Sequence, residues 1–108
     1  NLGFNPYELL LAALGSCTSM TLRMYANHKQ IDLQEIRVVL HHNRIHAEDC
    51  ANCDKSTPTT DKIIRKIQLI GNLDEQQRAR LLEIANQCPV HKTLKSRIEV
   101  ETTLAESL

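Results

Sequence analysis

From Leu9 to Leu22 the chain carries no charged side chain, and its apolar and small residues leave no polar stripe at helical spacing. A helix with no polar face must be enclosed on several sides. The start of that helix is written in Asn5-Pro6-Tyr7-Glu8. Asn5 suits the cap, Pro6 the first helical position, and Glu8 the acidic corner of a capping box. The pattern predicts a helix to Asn27 or His28, about 33 Å long at the usual rise. Gly15, Ser16, Thr18 and Ser19 around Cys17 are small, so a backbone or a substrate can approach that thiol closely.

The period then changes. Ile36, Val38 and Leu40 alternate with polar residues, and His42, Arg44 and His46 continue the same parity, predicting a strand from Ile31 to about Glu48. A polar loop follows over 49–60, containing Cys50, Cys53 and Pro58. A second strand is predicted over 61–70, with Ile63, Ile67 and Leu69 opposed to Lys66 and Gln68. Gly71-Asn72 turns the chain, and Asp74 with Gln77 opens a helix carrying Leu81, Leu82, Ile84 and Ala85. Pro89 stops it and starts a short turn through Leu94. Ile98, Val100, Thr102 and Leu104 predict a last strand. The order helix, strand, strand, helix, strand defines an α+β domain. Three strands do not cover a helix that is apolar all round, so further N-terminal strands and a second subunit are expected to complete the enclosure.

The 108 residues are expected to form one domain spanning 1–108, lacking the beginning of the native protein. Thirteen basic residues balance thirteen acidic ones with no one-sided stretch, which argues against nucleic acid as a partner. Aromatic residues are few and no glycine-rich phosphate loop is present. The uncharged run falls short of the roughly 20 residues that span a bilayer, and Pro6 and Glu8 suit a folded helix start better than a signal peptide. A cytoplasmic location is expected, so the four cysteines are better suited to redox or metal chemistry than to a disulfide framework.

The cysteines occupy unlike settings. No charged residue lies one helical turn from Cys17, where Ala13, Leu14, Met20 and Thr21 fall, so an activating group must come from another segment or chain. Without one, Cys17 is a packed core thiol. Cys88, before Pro89, falls at the cap of the following turn, where amide donors favour a thiolate and His91 can add charge or shuttle a proton. Capping and packing alone is the other reading. Cys50 and Cys53, with His46 and with His41 and His42 on the preceding strand, could form a tetrahedral zinc site, a redox dithiol or an ordinary loop.

The segments Asn5-Pro6-Tyr7-Glu8-Leu9-Leu10-Leu11-Ala12-Ala13-Leu14-Gly15-Ser16-Cys17 and Cys88-Pro89-Val90-His91-Lys92-Thr93-Leu94 resemble the two signature segments of the OsmC/Ohr family. The resemblance covers nearly the whole chain. It is closer to the less characterised OsmC-like branch than to the organic hydroperoxide resistance branch, and His46-Ala47-Glu48-Asp49-Cys50-Ala51-Asn52-Cys53 adds to that likeness. It implies an intertwined homodimer with a long helix at its centre and a second helix packed on antiparallel sheet. It further implies a thiol peroxidase of oxidative-stress defence, in which Cys17 attacks an organic hydroperoxide and Cys88 resolves the product as a disulfide. A dithiol reductant would complete the cycle, with no metal or cofactor. In the peroxidase branches a glutamate stands ten residues before the attacking cysteine, where this chain has Tyr7. Their activating arginine comes from an N-terminal strand absent from this chain. The alternative is a non-catalytic OsmC-like binding module whose Cys50 and Cys53 loop holds metal or is redox-active.

Overall fold

The computed structural model describes residues 5–46 and 59–106. Helix α1 (Pro6–Lys29) begins as its sequence dictates. The Glu8 backbone N–H donates to Asn5 Oδ1 at 2.8 Å, and the Asn5 N–H donates to Glu8 Oε1 at 3.2 Å. It ends at Gln30, whose left-handed backbone (φ 56°) lets the Ile31 N–H return to the Ala26 carbonyl at 2.8 Å.

Strands β1 (Leu33–His46) and β2 (Thr59–Gly71) pair antiparallel, with Val38 opposite Ile67 and Leu40 opposite Arg65. A register shift between Leu33 and Glu35 accommodates one extra residue at the start of β1. Beyond it Ile36, Val38, Leu40 and His42 form the more buried row of β1, and Ile63, Arg65, Ile67 and Leu69 lie on β2 at matching positions. At the end of β2, Gly71 has φ 159°, and a Cβ there would lie 2.1 Å from the Asp32 carbonyl oxygen. Because the obstacle is backbone rather than a movable side chain, Gly71→Ala is expected to destabilise the protein by at least about 2 kcal/mol. The measurement is the urea midpoint; a midpoint unchanged from the parent would refute the close approach.

Helix α2 (Glu75–Ala85) opens on a second reciprocal capping box, between Asp74 and Gln77. After a turn, helix α3 (Pro89–Lys95) opens with Cys88 as its cap. The core forms where α1 and α2 meet the start of β1: Leu22, Ala26, Leu33, Leu81, Ile84 and Ala85 are buried together, flanked by Ile36, Ile67 and Leu69. Within this chain α1 buries one row, Leu14, Thr18, Leu22 and Ala26, while Leu9, Met20 and Met24 stay exposed.

The expected final strand is not formed. Ile98, Val100 and Leu104 follow α3 without strand structure and are 55%, 84% and 99% exposed. Alternation gives a segment two faces, but a strand exists only where a neighbour receives its backbone hydrogen bonds. Among the described residues β1 and β2 pair only with each other.

Candidate active site

Cys17 and Thr18 are consecutive on α1, about 100° apart around the axis. Thr18 is fully buried and donates its hydroxyl proton to the Leu14 carbonyl at 2.7 Å. Cys17 is partly exposed and its thiol is free. Across from them stands Cys88, fully buried at the α3 cap, where Pro89 in the first helical position aims the His91 backbone N–H at its sulfur. That N–H donates to Cys88 Sγ at 3.3 Å.

Arg65 reaches this junction from the inner row of β2. Its Nη1 donates to Thr18 Oγ1 at 2.9 Å and to the Ala85 carbonyl at 3.3 Å, with Cys88 Sγ at 4.0 Å; its Nη2 donates to Asn86 Oδ1 at 2.8 Å. The guanidinium thus ties α1 to the end of α2, where the last carbonyls of a helix favour a cation.

These contacts set the state of Cys88. Burial pushes its thiol up, but hydrogen bonding from the His91 N–H, Cys17 and Thr18, together with the Arg65 charge, outweighs burial and leaves it below the ordinary thiol range. Of these donors Thr18 is the weakest, because its single proton is already committed to Leu14 and its oxygen lies 3.9 Å from Cys88 Sγ. The His91 imidazole is pushed down by burial and by the nearby charges of Arg65 and Lys95, which favours its neutral form at pH 7.

A hollow of about 310 Å³ opens beside the junction, walled by Leu14, Ile63 and Leu94 and by Arg65, His91, Lys95 and Asp61. Neither sulfur is in its wall, but Arg65 and His91 each contact Cys88 Sγ. Farther along the sheet, Tyr7 stacks on His42 with centroids 4.8 Å apart, and His42 Nε2 pairs with Asp61 Oδ1 at 3.0 Å.

Of the two cysteines singled out by sequence, Cys88 lies with its Sγ 3.9 Å from the hydroxyl of Thr18, the residue next to Cys17 on α1. Cys50 and Cys53 lie outside the described residues, and no cluster of three metal-ligating side chains occurs among the described ones. Sequence reasoning missed Arg65. Its signal was parity: it falls between Ile63 and Ile67, on the alternation that packs inward, where an unpartnered cation is costly.

The frame is α+β, and its site sets a cap-borne thiol and an arginine from the sheet against the helix that carries Cys17. Residues 1–103 match the family model described as OsmC-like protein, and the chain belongs to that family. No curated protein matches it. Among solved structures it is similar to an OsmC-like protein from Mycoplasma pneumoniae (20% identity, TM-score 0.71) and to an organic hydroperoxide resistance protein OsmC from Legionella pneumophila (17% identity, TM-score 0.68). Each alignment covers 88% of this chain and 64% of the other, so the chain spans a little under two thirds of their length. A hypothetical protein from Aquifex aeolicus VF5 is similar at 22% identity and TM-score 0.66, over 88% of this chain and 67% of that one.

Proposed function

We propose that this protein is a cysteine-based thiol peroxidase that reduces organic hydroperoxides, with Cys17 attacking and Cys88 resolving. The observation that carries the reading is the position of buried Cys88, whose Sγ lies 4.0 Å from Arg65 Nη1 and 3.9 Å from the hydroxyl of Thr18, the residue after Cys17 on α1. The Legionella pneumophila relative in fold, described as an organic hydroperoxide resistance protein and a predicted redox protein, supports the same chemistry. Cys17 is the more accessible sulfur and suits the attack; Cys88, buried and held toward its thiolate, suits the second step. The Cys17 thiolate takes the distal peroxide oxygen: an S–O bond forms, the O–O bond breaks, and the alkoxide leaves as an alcohol after gaining a proton. The Cys88 thiolate then attacks the sulfenic sulfur, forming the disulfide and releasing hydroxide, which gains a proton to become water. A dithiol reductant returns both thiols. The apolar wall of Leu14, Ile63 and Leu94 favours organic hydroperoxides over hydrogen peroxide.

The reading includes a homodimer in the cytoplasm. No described helix is long and apolar enough to cross a membrane.

Peptide-resolved mass spectrometry of reduced protein after brief, near-equimolar cumene hydroperoxide tests the chemistry. A Cys17–Cys88 disulfide is expected in the parent and is expected to vanish in Cys17→Ser. Unmodified thiols in the parent would sink the proposal.

A further inference from the structure

We propose that Lys95 reads a carboxylate on the substrate, so that the hydroperoxides this site favours are apolar molecules bearing one negative charge. The inference rests on the peroxidase reading and names a substrate class for it.

The hollow beside Arg65 has two kinds of lining. Leu14, Ile63 and Leu94 are apolar, while Arg65, His91 and Lys95 are basic and Asp61 is the single acid. Its volume of about 310 Å³ stands at the lower end of small-molecule sites, which run from about 300 to 1,000 Å³. Leu14 precedes Cys17 by three residues on α1, so the lining begins one helical turn from that thiol.

The charge of the ligand follows from which of these groups already has a partner. Arg65 spends Nη1 on Thr18 Oγ1 and the Ala85 carbonyl, and Nη2 on Asn86 Oδ1, with Cys88 Sγ at 4.0 Å. Asp61 pairs with His42 at 3.0 Å. His91 gives its backbone N–H to Cys88, and its ring, pushed toward the neutral form, brings no charge of its own. Lys95 differs. No described residue holds its ammonium in a hydrogen bond or ion pair. An exposed lysine ordinarily stands free, so that alone decides nothing; its place in the wall of a largely apolar hollow does. Lysine presents a compact point charge without the fork of donors that grips phosphate bidentately, and the Arg65 fork is committed. A single carboxylate is the matching anion. A substrate so held lays its apolar body on Leu14, Ile63 and Leu94, sets its carboxylate against Lys95, and leaves its hydroperoxide group for Cys17.

Binding and turnover test this separately. The binding probes are 4-isopropylbenzoate and 4-isopropylbenzamide, alike in shape and different in charge. Each is titrated into reduced protein and followed by the methyl NMR signals of Leu14, Ile63 and Leu94. The acid is expected to shift these signals and to bind at least about threefold more tightly than the amide, the scale of an exposed ion pair at low salt. Ionic strength near 1 M, where the Debye length is about 3 Å, should erase most of that preference. Lys95→Met keeps the apolar stem without the charge and is expected to bring the two affinities together. Lys92→Met removes an exposed charge from the same helix outside the hollow, and is expected to leave the preference intact. Equal affinities in the parent, a preference that survives Lys95→Met, or methyl signals unmoved by either probe would each overturn the inference.

Turnover compares cumene hydroperoxide with its para-carboxylate. The carboxylate is expected to show the higher kcat/KM in the parent, chiefly through KM, and Lys95→Met to lower the acid-to-neutral ratio at least about threefold. Turnover of both peroxides with a ratio that Lys95→Met leaves unchanged overturns the role of Lys95 alone. A parent that binds the acid by its charge but consumes neither peroxide overturns the peroxidase reading, and with it the substrate role, while the charge preference stands.

Discussion

Glutamate at both Met20 and Met24 is expected to leave the protein monomeric at micromolar concentration, where the parent is expected to sediment as a dimer. The two side chains are 61% and 69% exposed, and lie one turn apart on a helix whose other outward residues include Leu9 at 55%. Beside them Ser19, Arg23, Ile36 and the first residues of β1 frame a groove of about 500 Å³. A run without charge from Leu9 to Leu22 is not how a solvent-facing helix is written, and an apolar face of this kind marks an interface. Burying a methionine contributes about 1.5–3 kcal/mol, and a buried, unpaired carboxylate costs more. Together the two changes should weaken association by at least about 4 kcal/mol, roughly three orders of magnitude in Kd. Sedimentation velocity on both proteins decides it; a parent that sediments as a monomer refutes the proposed dimer.

Leu22→Ala should cost about 2–5 kcal/mol, a large share of the stability of a small domain. Leu22 is fully buried and packs with Leu33 from β1 and with Leu81, Ile84 and Ala85 from the α2 region, so its truncation opens a cavity where these elements converge. Leu22→Met preserves volume and should cost less than about 1.5 kcal/mol. Urea unfolding must be compared at one protein concentration, because association adds to apparent stability. A Leu22→Ala midpoint close to that of Leu22→Met would show that this cluster is not the main core.

Local signals made much of this fold legible. Asn5 with Glu8 and Asp74 with Gln77 each specify a helix start by short-range hydrogen bonds, so neither depended on tertiary context. Pro89 fixed the start of α3 and placed Cys88 at its cap for the same reason. The segment from Ile98 to Leu104 shows where such signals stop. Its alternation equals that of β1, but its ladder needs a neighbouring edge, which no local pattern supplies. Arg65 was passed over on similar grounds. One cation among the three of an isoleucine-rich strand looks like solvent-facing polarity until the register opposite Leu40 and the buried Thr18 hydroxyl give it an inward target.

The sequence by itself determined the helix starts, the hairpin strands, the two signature cysteine segments and the OsmC-like family, because these are set by neighbours in the chain. Tertiary structure alone decided that Cys88 packs against Thr18 beside Cys17, that the cation there comes from β2, and that the Cys88 thiol is held toward its charged form. Those outcomes depend on through-space distances between α1, β2 and the α2–α3 turn, and on a balance between burial and donors that exists only once the three are packed together.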